Sequence, residues 1–293
     1  MIKLGTRRSA LATAQATLIA DALRNLGHEV ELVLIVTTGD VNRGPLEQIG
    51  GTGIFVSALR DALLAGEIDI AVHSLKDLPT ASVDGLTIGA VPVREDPRDV
   101  LVARDGLTLG ELQAGALVGT GSPRRVAQLD ALGLGLECTG IRGNVDTRIA
   151  MVTEGKLDAV VLARAGLSRL GRLAEVTETL DPIQVLPAPG QGALGIECRA
   201  DDAEVLAALA PLEDPATRAA VTAERQLLAT LEAGCTAPVG ALAEVVEGED
   251  GPELWLRGAL GREDGVRRLS ANGPVEDPVS LGMALANELL ERT

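Results

Sequence analysis

The hydrophobic pattern at the amino terminus switches period several times. Ile2 to Gly5 reads as a short strand, and apolar positions after Ser9 recur with helical spacing to about Leu26. Ser9 suits the N-cap, because its hydroxyl can accept from a first-turn amide. Val30 to Val36 is apolar and β-branched, which predicts a strand. Gly50-Gly51-Thr52-Gly53 lacks the Lys-Ser/Thr of a P-loop and is expected to be a mobile loop. A helix over Phe55–Ala65 and a strand over Asp69–His73 follow. Strands alternating with helices predict a parallel sheet.

The pattern then repeats. Leu4-Gly5-Thr6, followed by Arg7, Arg8 and Ser9, has a counterpart in Val118-Gly119-Thr120, followed by Ser122, Arg124 and Arg125. Both lead into a helix with an Ala-Gln pair, Ala14-Gln15 and Ala127-Gln128. Further on, Gly66-Glu67-Ile68-Asp69-Ile70-Ala71-Val72 matches Gly155-Lys156-Leu157-Asp158-Ala159-Val160-Val161. Two matches in one order predict a duplicated α/β unit. Proline-bearing segments at 95–99 and 186–192 are expected to link the halves as a clamshell with a cleft, and the strand Ala193–Cys198 is expected to return to the first half. Asp214-Pro215 opens an Ala-rich helix to about Leu231. Strand-like runs at 238–246, 253–260 and 265–271 and a helix at 278–292 complete a small α+β region.

Composition narrows the function. The chain is 46% hydrophobic but 1% aromatic, with Phe55 and Trp255 and no Tyr, so its cores must be aliphatic and it lacks platforms for stacking bases. A net charge of −16 disfavours nucleic acid or an anionic membrane as partner. The start at Met1-Ile2-Lys3-Leu4 shows no apolar leader, and no run of about 18 apolar residues occurs. Three widely spaced cysteines fit a reducing cytoplasm, and two histidines without a Cys-x-x-Cys pair argue against a metal site.

Candidate chemistry gathers at strand-to-helix turns. Ser122 suits an N-cap and Pro123 the first helical position, with Arg124 and Arg125 adding cationic forks where a helix start already attracts anions. Arg7-Arg8-Ser9 has the same character, and Arg142-Gly143-Asn144 and Arg148 lie on the next turn. Segment 119–172 carries eight Lys/Arg against five Asp/Glu in an acidic chain, which predicts an anion pocket where open α/β sheets bind ligands. Lys76 and Asp77 follow a strand end. A carboxylate there can hold a developing cation and move protons. His73 and Ser74 point to opposite faces of a strand, so no hydrolase pair is expected and His73 reads as a buried, hydrogen-bonded residue. Cys235, between small residues after a helix, has room for an adduct, though alone it reads as a packing residue.

Taken together, the HSLKDLP strand end, the EDPRD hinge, the GTGSPRR turn, RGNVDTR, LARAGLSRLG, LPAPGQGALGIECR and the EAGC loop resemble the hydroxymethylbilane synthase (porphobilinogen deaminase) family over nearly the whole chain. The resemblance implies a transferase of tetrapyrrole and heme biosynthesis. It implies two α/β lobes like type II periplasmic binding proteins, 1–95 with 193–212 and 98–188, and a small α+β domain at 215–293. It implies a covalent dipyrromethane cofactor on Cys235 through a thioether, with Lys76, Thr120, Ser122, Arg124 and Arg125 around it. Asp77 is implied as the catalytic residue. Arg7, Ser9, Arg142, Arg148, Arg169, Gln191 and Phe55 are implied to bind substrate. The reaction implied is deaminating condensation of four porphobilinogen molecules and hydrolytic release of a linear tetrapyrrole, in a cytoplasmic monomer with no nucleic-acid or membrane partner. The family often has lysines where this chain has Gln48, Thr52 and Ser57, and a glycine at Ala233. The rival reading is a non-catalytic clamshell for a small dicarboxylate, which leaves Cys235 without a role.

Overall fold

Strand β1 (Ile2–Thr6) turns at Ser9, whose Oγ accepts from the Ala12 amide at 3.2 Å and starts helix α1 (Ala10–Asn25). The computed structural model describes residues 1–35, 53–231, 238–249 and 251–291, side chains of 53–55 excepted. Along the chain follow β2 (Val30–Leu34), α2 (Gly53–Leu64), β3 (Ile70–Ser74), a 3-10 turn at Leu75–Asp77 and β4 (Leu86–Ala90). Next come β5 (Asp99–Ala103), β6 (Leu117–Gly119), α3 (Pro123–Asp130), β7 (Glu137–Thr139), α4 (Val145–Thr153), β8 (Ala159–Ala163), α5 (Arg164–Arg169) and β9 (Glu178–Thr179). The remainder is β10 (Leu194–Arg199), α6 (Ala203–Leu209), α7 (Pro215–Thr230), β11 (Val239–Gly248), β12 (Gly251–Arg262), β13 (Gly265–Pro274) and α8 (Pro278–Leu290).

These elements form two compact units, 1–94 with 193–218 and 95–192 with 219–293. The first holds a five-stranded sheet ordered β2-β1-β3-β10-β4, in which β10 alone runs against its neighbours. The second holds a five-stranded sheet ordered β7-β6-β8-β5-β9, in which β5 alone runs against its neighbours. The order and sense of every strand agree, so the repeat legible in the sequence is a repeat of topology. In each sheet the reversed strand enters directly after a crossing segment, so the two α/β lobes are built alike.

Each five-stranded sheet buries aliphatic side chains on both faces. Leu4, Ile19, Leu23 and Ile196 fill one face of the first, and Leu59, Leu63 and Ile68 the other. Leu101, Val118 and Val161 fill one face of the second, with Val100, Val160 and Leu167 opposite. The third sheet is the antiparallel meander β11-β12-β13, whose core joins Leu254 and Leu256 to Leu227, Leu285 and Leu289 from α7 and α8. Each such leucine contributes about 1.5–3 kcal/mol by burial, so cores without aromatics suffice here. The edge of β11 is covered by the second crossing segment, since the Ala241 amide donates to the Pro187 carbonyl at 2.9 Å.

The crossings run side by side within the second unit. The Glu95 amide donates to the Gly192 carbonyl at 3.3 Å. Gly192 has φ +86°, and a Cβ there would lie 2.3 Å from the Glu95 carbonyl oxygen, so this position requires glycine.

Candidate functional site

Strands β1 and β3 are parallel neighbours, so their carboxyl ends share one edge of the first sheet. Arg7 and Ser9 leave β1 there, and Ser9 spends its hydroxyl capping α1. Gln15, buried in α1, donates from Nε2 to Ser74 Oγ at 2.7 Å and fixes the end of β3. The 3-10 turn leaving that end carries Lys76 and Asp77 outward. The Asp77 side chain is 54% exposed, with Lys76 Nζ 4.0 Å from its Oδ1. An exposed pair at that separation binds weakly, so the carboxylate is free to engage a ligand. His73 points inward, with Nε2 3.3 Å from Glu197 Oε2, and Arg60 holds the same carboxylate at 2.9 Å. Burial works to raise the Glu197 carboxyl, but hydrogen bonds from His73 and Arg60 outweigh it and hold it below its ordinary value. His73 is thus buried, as the sequence suggested, with its Nε2 set beside the Glu197 carboxylate.

In the second sheet β7, β6 and β8 are parallel, and their carboxyl ends share one edge. Asp99, the first residue of the reversed strand β5, enters at that edge with no exposure. Its Oδ2 accepts from Arg124 Nη2 at 2.8 Å, and its Oδ1 accepts from Arg125 Nη2 at 2.7 Å and Gln191 Nε2 at 2.9 Å. Arg124 Nη1 donates to the Leu186 carbonyl at 2.5 Å, and Arg125 Nη1 to the Val161 carbonyl at 2.8 Å. Burial pushes the Asp99 carboxyl up, but the two guanidiniums outweigh it and hold it far below the usual carboxylate range. Burial lowers Arg124 against the attraction of Asp99.

Arg124 and Arg125, read from the sequence as cationic forks at a helix start, are 3% and 5% exposed with their terminal nitrogens committed inside the protein. The reason is Asp99, a residue the motif reading used only as part of a hinge. Its signal was an aspartate heading the apolar run Val100–Ala103. The Nε–H of each arginine is buried and has no hydrogen-bond partner among the described residues.

The remaining candidates divide. Ser122 occupies the N-cap of α3, but its hydroxyl makes no capping bond. Instead the buried Thr120 Oγ1 accepts from the Ser122 amide at 3.3 Å. Arg142 is exposed and makes no hydrogen bond or ion pair among the described residues. Arg148 Nε donates to the Gly143 carbonyl at 2.9 Å. Arg169 Nη2 donates to the Gly192 carbonyl at 2.6 Å, and burial lowers its pKa against the pull of Glu95. Arg169 therefore sits on the crossing, beside Ser168, whose hydroxyl donates to Glu95 Oε2 at 2.8 Å. Cys235 and the loop at 50–52 lie outside the described residues, as does the side chain of Phe55. Among the described residues no cluster of His, Cys, Asp and Glu could hold a metal ion, and no helix is long and apolar enough to cross a membrane.

The family description "Porphobilinogen deaminase, dipyromethane cofactor binding domain" matches residues 2–207, and "Porphobilinogen deaminase, C-terminal domain" matches residues 218–291. The chain belongs to the porphobilinogen deaminase family. A porphobilinogen deaminase of Nocardia farcinica is 61% identical over 99% of this chain and 86% of its own length. Porphobilinogen deaminase 1 of Streptomyces avermitilis is 62% identical over 98% of this chain and 93% of its own. That of Mycobacterium tuberculosis is 59% identical over 99% and 96%. Among solved structures, a periplasmic substrate-binding protein from Coxiella burnetii is similar over 72% of this chain and 91% of that one, at 14% identity and a TM-score of 0.46. Family membership makes the activity that of a hydroxymethylbilane synthase, a transferase. It condenses four porphobilinogen molecules with loss of ammonia on a dipyrromethane primer and releases the linear tetrapyrrole by hydrolysis. The non-catalytic clamshell is thereby set aside.

Proposed function

We propose that Asp77 works at the reacting atoms, that the arginines at the two sheet edges hold the acetate and propionate groups of the pyrroles, and that Cys235 carries the cofactor. The observation that best supports this division is the contrast between an accessible carboxylate at the end of β3 and a set of guanidiniums at the end of β6 and β7.

The donors on the second sheet edge fit a dicarboxylic dipyrrole. Ser122 has an uncommitted hydroxyl as far as helix capping is concerned, Thr120 is its neighbour on the same turn, and Arg124 and Arg125 keep buried Nε–H groups to offer, while Lys76 is assigned to the cofactor from the end of β3. Bound there, dipyrromethane supplies a free pyrrole α-carbon as nucleophile and primer. The chain's own residues do the rest. Arg142, unspent among the described residues, and Arg7, Ser9, Arg148, Arg169, Gln191 and Phe55 bind porphobilinogen. Loss of ammonia from porphobilinogen leaves a cation, and the Asp77 carboxylate offsets that charge while accepting from pyrrole N–H. One Asp77 oxygen then takes up the proton released when the new carbon–carbon bond forms.

Apolar cores on both faces of each five-stranded sheet and a further core beneath the meander support three domains, 1–95 with 193–212, 98–188 and 215–293. The acidic balance of −16 and the low aromatic content support a cytoplasmic monomer that binds neither nucleic acid nor membrane.

Asp77→Asn tests the central assignment. The side chain is exposed, so thermal stability should hold while product formation falls on the order of 10² or more. A folded variant with near-normal turnover would remove Asp77 from the chemistry.

A further inference from the structure

The two lobes carry the same topology but differ at one matched place, and the difference isolates a role for Asp99. Gln15 in α1 and Gln128 in α3 are equivalent, both buried at 4% and 2% exposure and both tied to a segment at the sheet edge. Counting back from each glutamine, Leu11 and Ala12 stand where Arg124 and Arg125 stand. The reversed strands match as well. Leu194 opens β10 opposite Ser74, the last residue of β3, and Asp99 opens β5 opposite Ala163, the last residue of β8. So at the matched positions the first lobe carries the buried Leu194 and the half-buried Leu11 and Ala12, while the second carries an aspartate and two arginines.

A buried ion cluster is seldom more stable than apolar residues of similar volume. The first lobe shows within the same chain that the corner folds without one. The cluster is also unbalanced, with one carboxylate set against two guanidiniums. Asp99 alone accepts from Nη2 of both arginines, with Gln191 Nε2 donating to the same carboxylate, and main-chain carbonyls accept from Nη1, so the two Nε–H groups are left without a partner among the described residues. A buried site with surplus positive charge and two unpaired donors is incomplete until an anion arrives.

We propose that Asp99 is a positioning residue, which fixes Arg124 and Arg125 by their terminal nitrogens so that their surplus charge and Nε–H groups are held ready for a ligand carboxylate. Asp99 has no exposed surface, so it acts through the arginines and does not touch the pyrroles. The cluster is kept for this placement and adds no stability over the apolar corner of the first lobe. The proposal rests on the assignment of these arginines to pyrrole carboxylates.

The experiment uses the full chain produced in cells that make porphobilinogen. Two variants are compared with the parent: Asp99→Asn, and a triple variant with Asp99→Leu, Arg124→Leu and Arg125→Ala that copies the first lobe. Thermal midpoint, intact mass, and KM and kcat for porphobilinogen are read for each. The triple variant should lack the covalent adduct and melt within about 3 °C of Cys235→Ser, the adduct-free reference. Asp99→Asn, in whatever fraction is folded and loaded, should show a KM raised about tenfold or more with a smaller change in kcat, the loss of roughly one charge-assisted hydrogen bond. Should Asp99→Asn fail to fold, the triple variant decides, because it leaves no unpaired charge. A triple variant melting about 10 °C or more below Cys235→Ser would make the cluster structural and overturn the proposal. Asp99→Asn with parental KM and full adduct, beside a triple variant lacking adduct, overturns the role of Asp99 alone. A triple variant with parental adduct and KM overturns the arginine assignment itself.

Discussion

Glu224 offers a severe test of how the second unit is held together. It lies in α7 with no exposed surface, its Oε2 accepting from the Gly190 amide at 2.6 Å and its Oε1 from the Ala243 amide at 2.8 Å. Both donors are otherwise hard to satisfy. Gly190 belongs to the second crossing segment, and Ala243 sits on β11, the edge strand of the three-stranded sheet. Glu224→Gln keeps the volume but puts an amide NH₂ toward one of the two donors. One charge-assisted bond weakens and the other becomes a donor–donor contact, so the expected loss is about 2–4 kcal/mol. Trp255, the single tryptophan, lies on β12 in the same unit, paired with Glu244 and beside the Arg257 guanidinium at 4.4 Å. Its fluorescence through a urea titration therefore reports this unit. The midpoint should fall with the slope unchanged, which marks a loss of stability rather than of compactness. A shift equivalent to less than about 0.5 kcal/mol would refute the view that this carboxylate joins the crossing to β11.

Other outcomes follow from the same geometry. Arg125→Leu should cost about 3–5 kcal/mol in urea denaturation, because it strips Asp99 of a buried partner. Arg142→Leu should leave stability within about 0.5 kcal/mol and instead raise KM for porphobilinogen. Arg262→Leu and Arg267→Leu remove caps on the carbonyls of Leu289 and Glu291 at the end of α8 and should leave turnover unchanged. Equal inactivity of all four would contradict the placement of the pocket. The Asp99 carboxyl is depressed in the folded state, so its stabilisation is complete above its unfolded value of about 3.9 and is lost as pH falls through the folded value. The thermal midpoint of the parent should therefore drop more steeply below about pH 4 than that of the triple apolar variant, and equal slopes would contradict the ionised state of Asp99.

Much of this architecture is legible in the sequence, for local reasons. Ser9 caps α1 and helical spacing carries it to Asn25, within a residue of the expected end. The β-branched run at Val30 and the alternating runs of the final meander also announce themselves, although β12 spans Gly251–Arg262 where the pattern suggested 253–260. What escapes is long-range. β7 and β9 have three and two residues, too short for any period, and exist because neighbouring strands β6 and β5 offer them hydrogen bonds. Among the site residues, Asp77 and Arg142 stand where their motifs suggested, at strand ends. The burial of Arg124 and Arg125 was hidden because it depends on Asp99, 25 and 26 residues away, and on the Leu186 carbonyl across the second crossing. A charged motif shows that cations are present, but not which of them the fold has already paired.

The most direct test of the account is the intact mass of the purified chain from cells able to make porphobilinogen, beside that of Cys235→Ser. The account predicts that the parent is heavier than its sequence by one covalent two-pyrrole adduct and that Cys235→Ser has its unmodified sequence mass. A parent chain at its bare sequence mass, or an adduct that persists in Cys235→Ser, would contradict it.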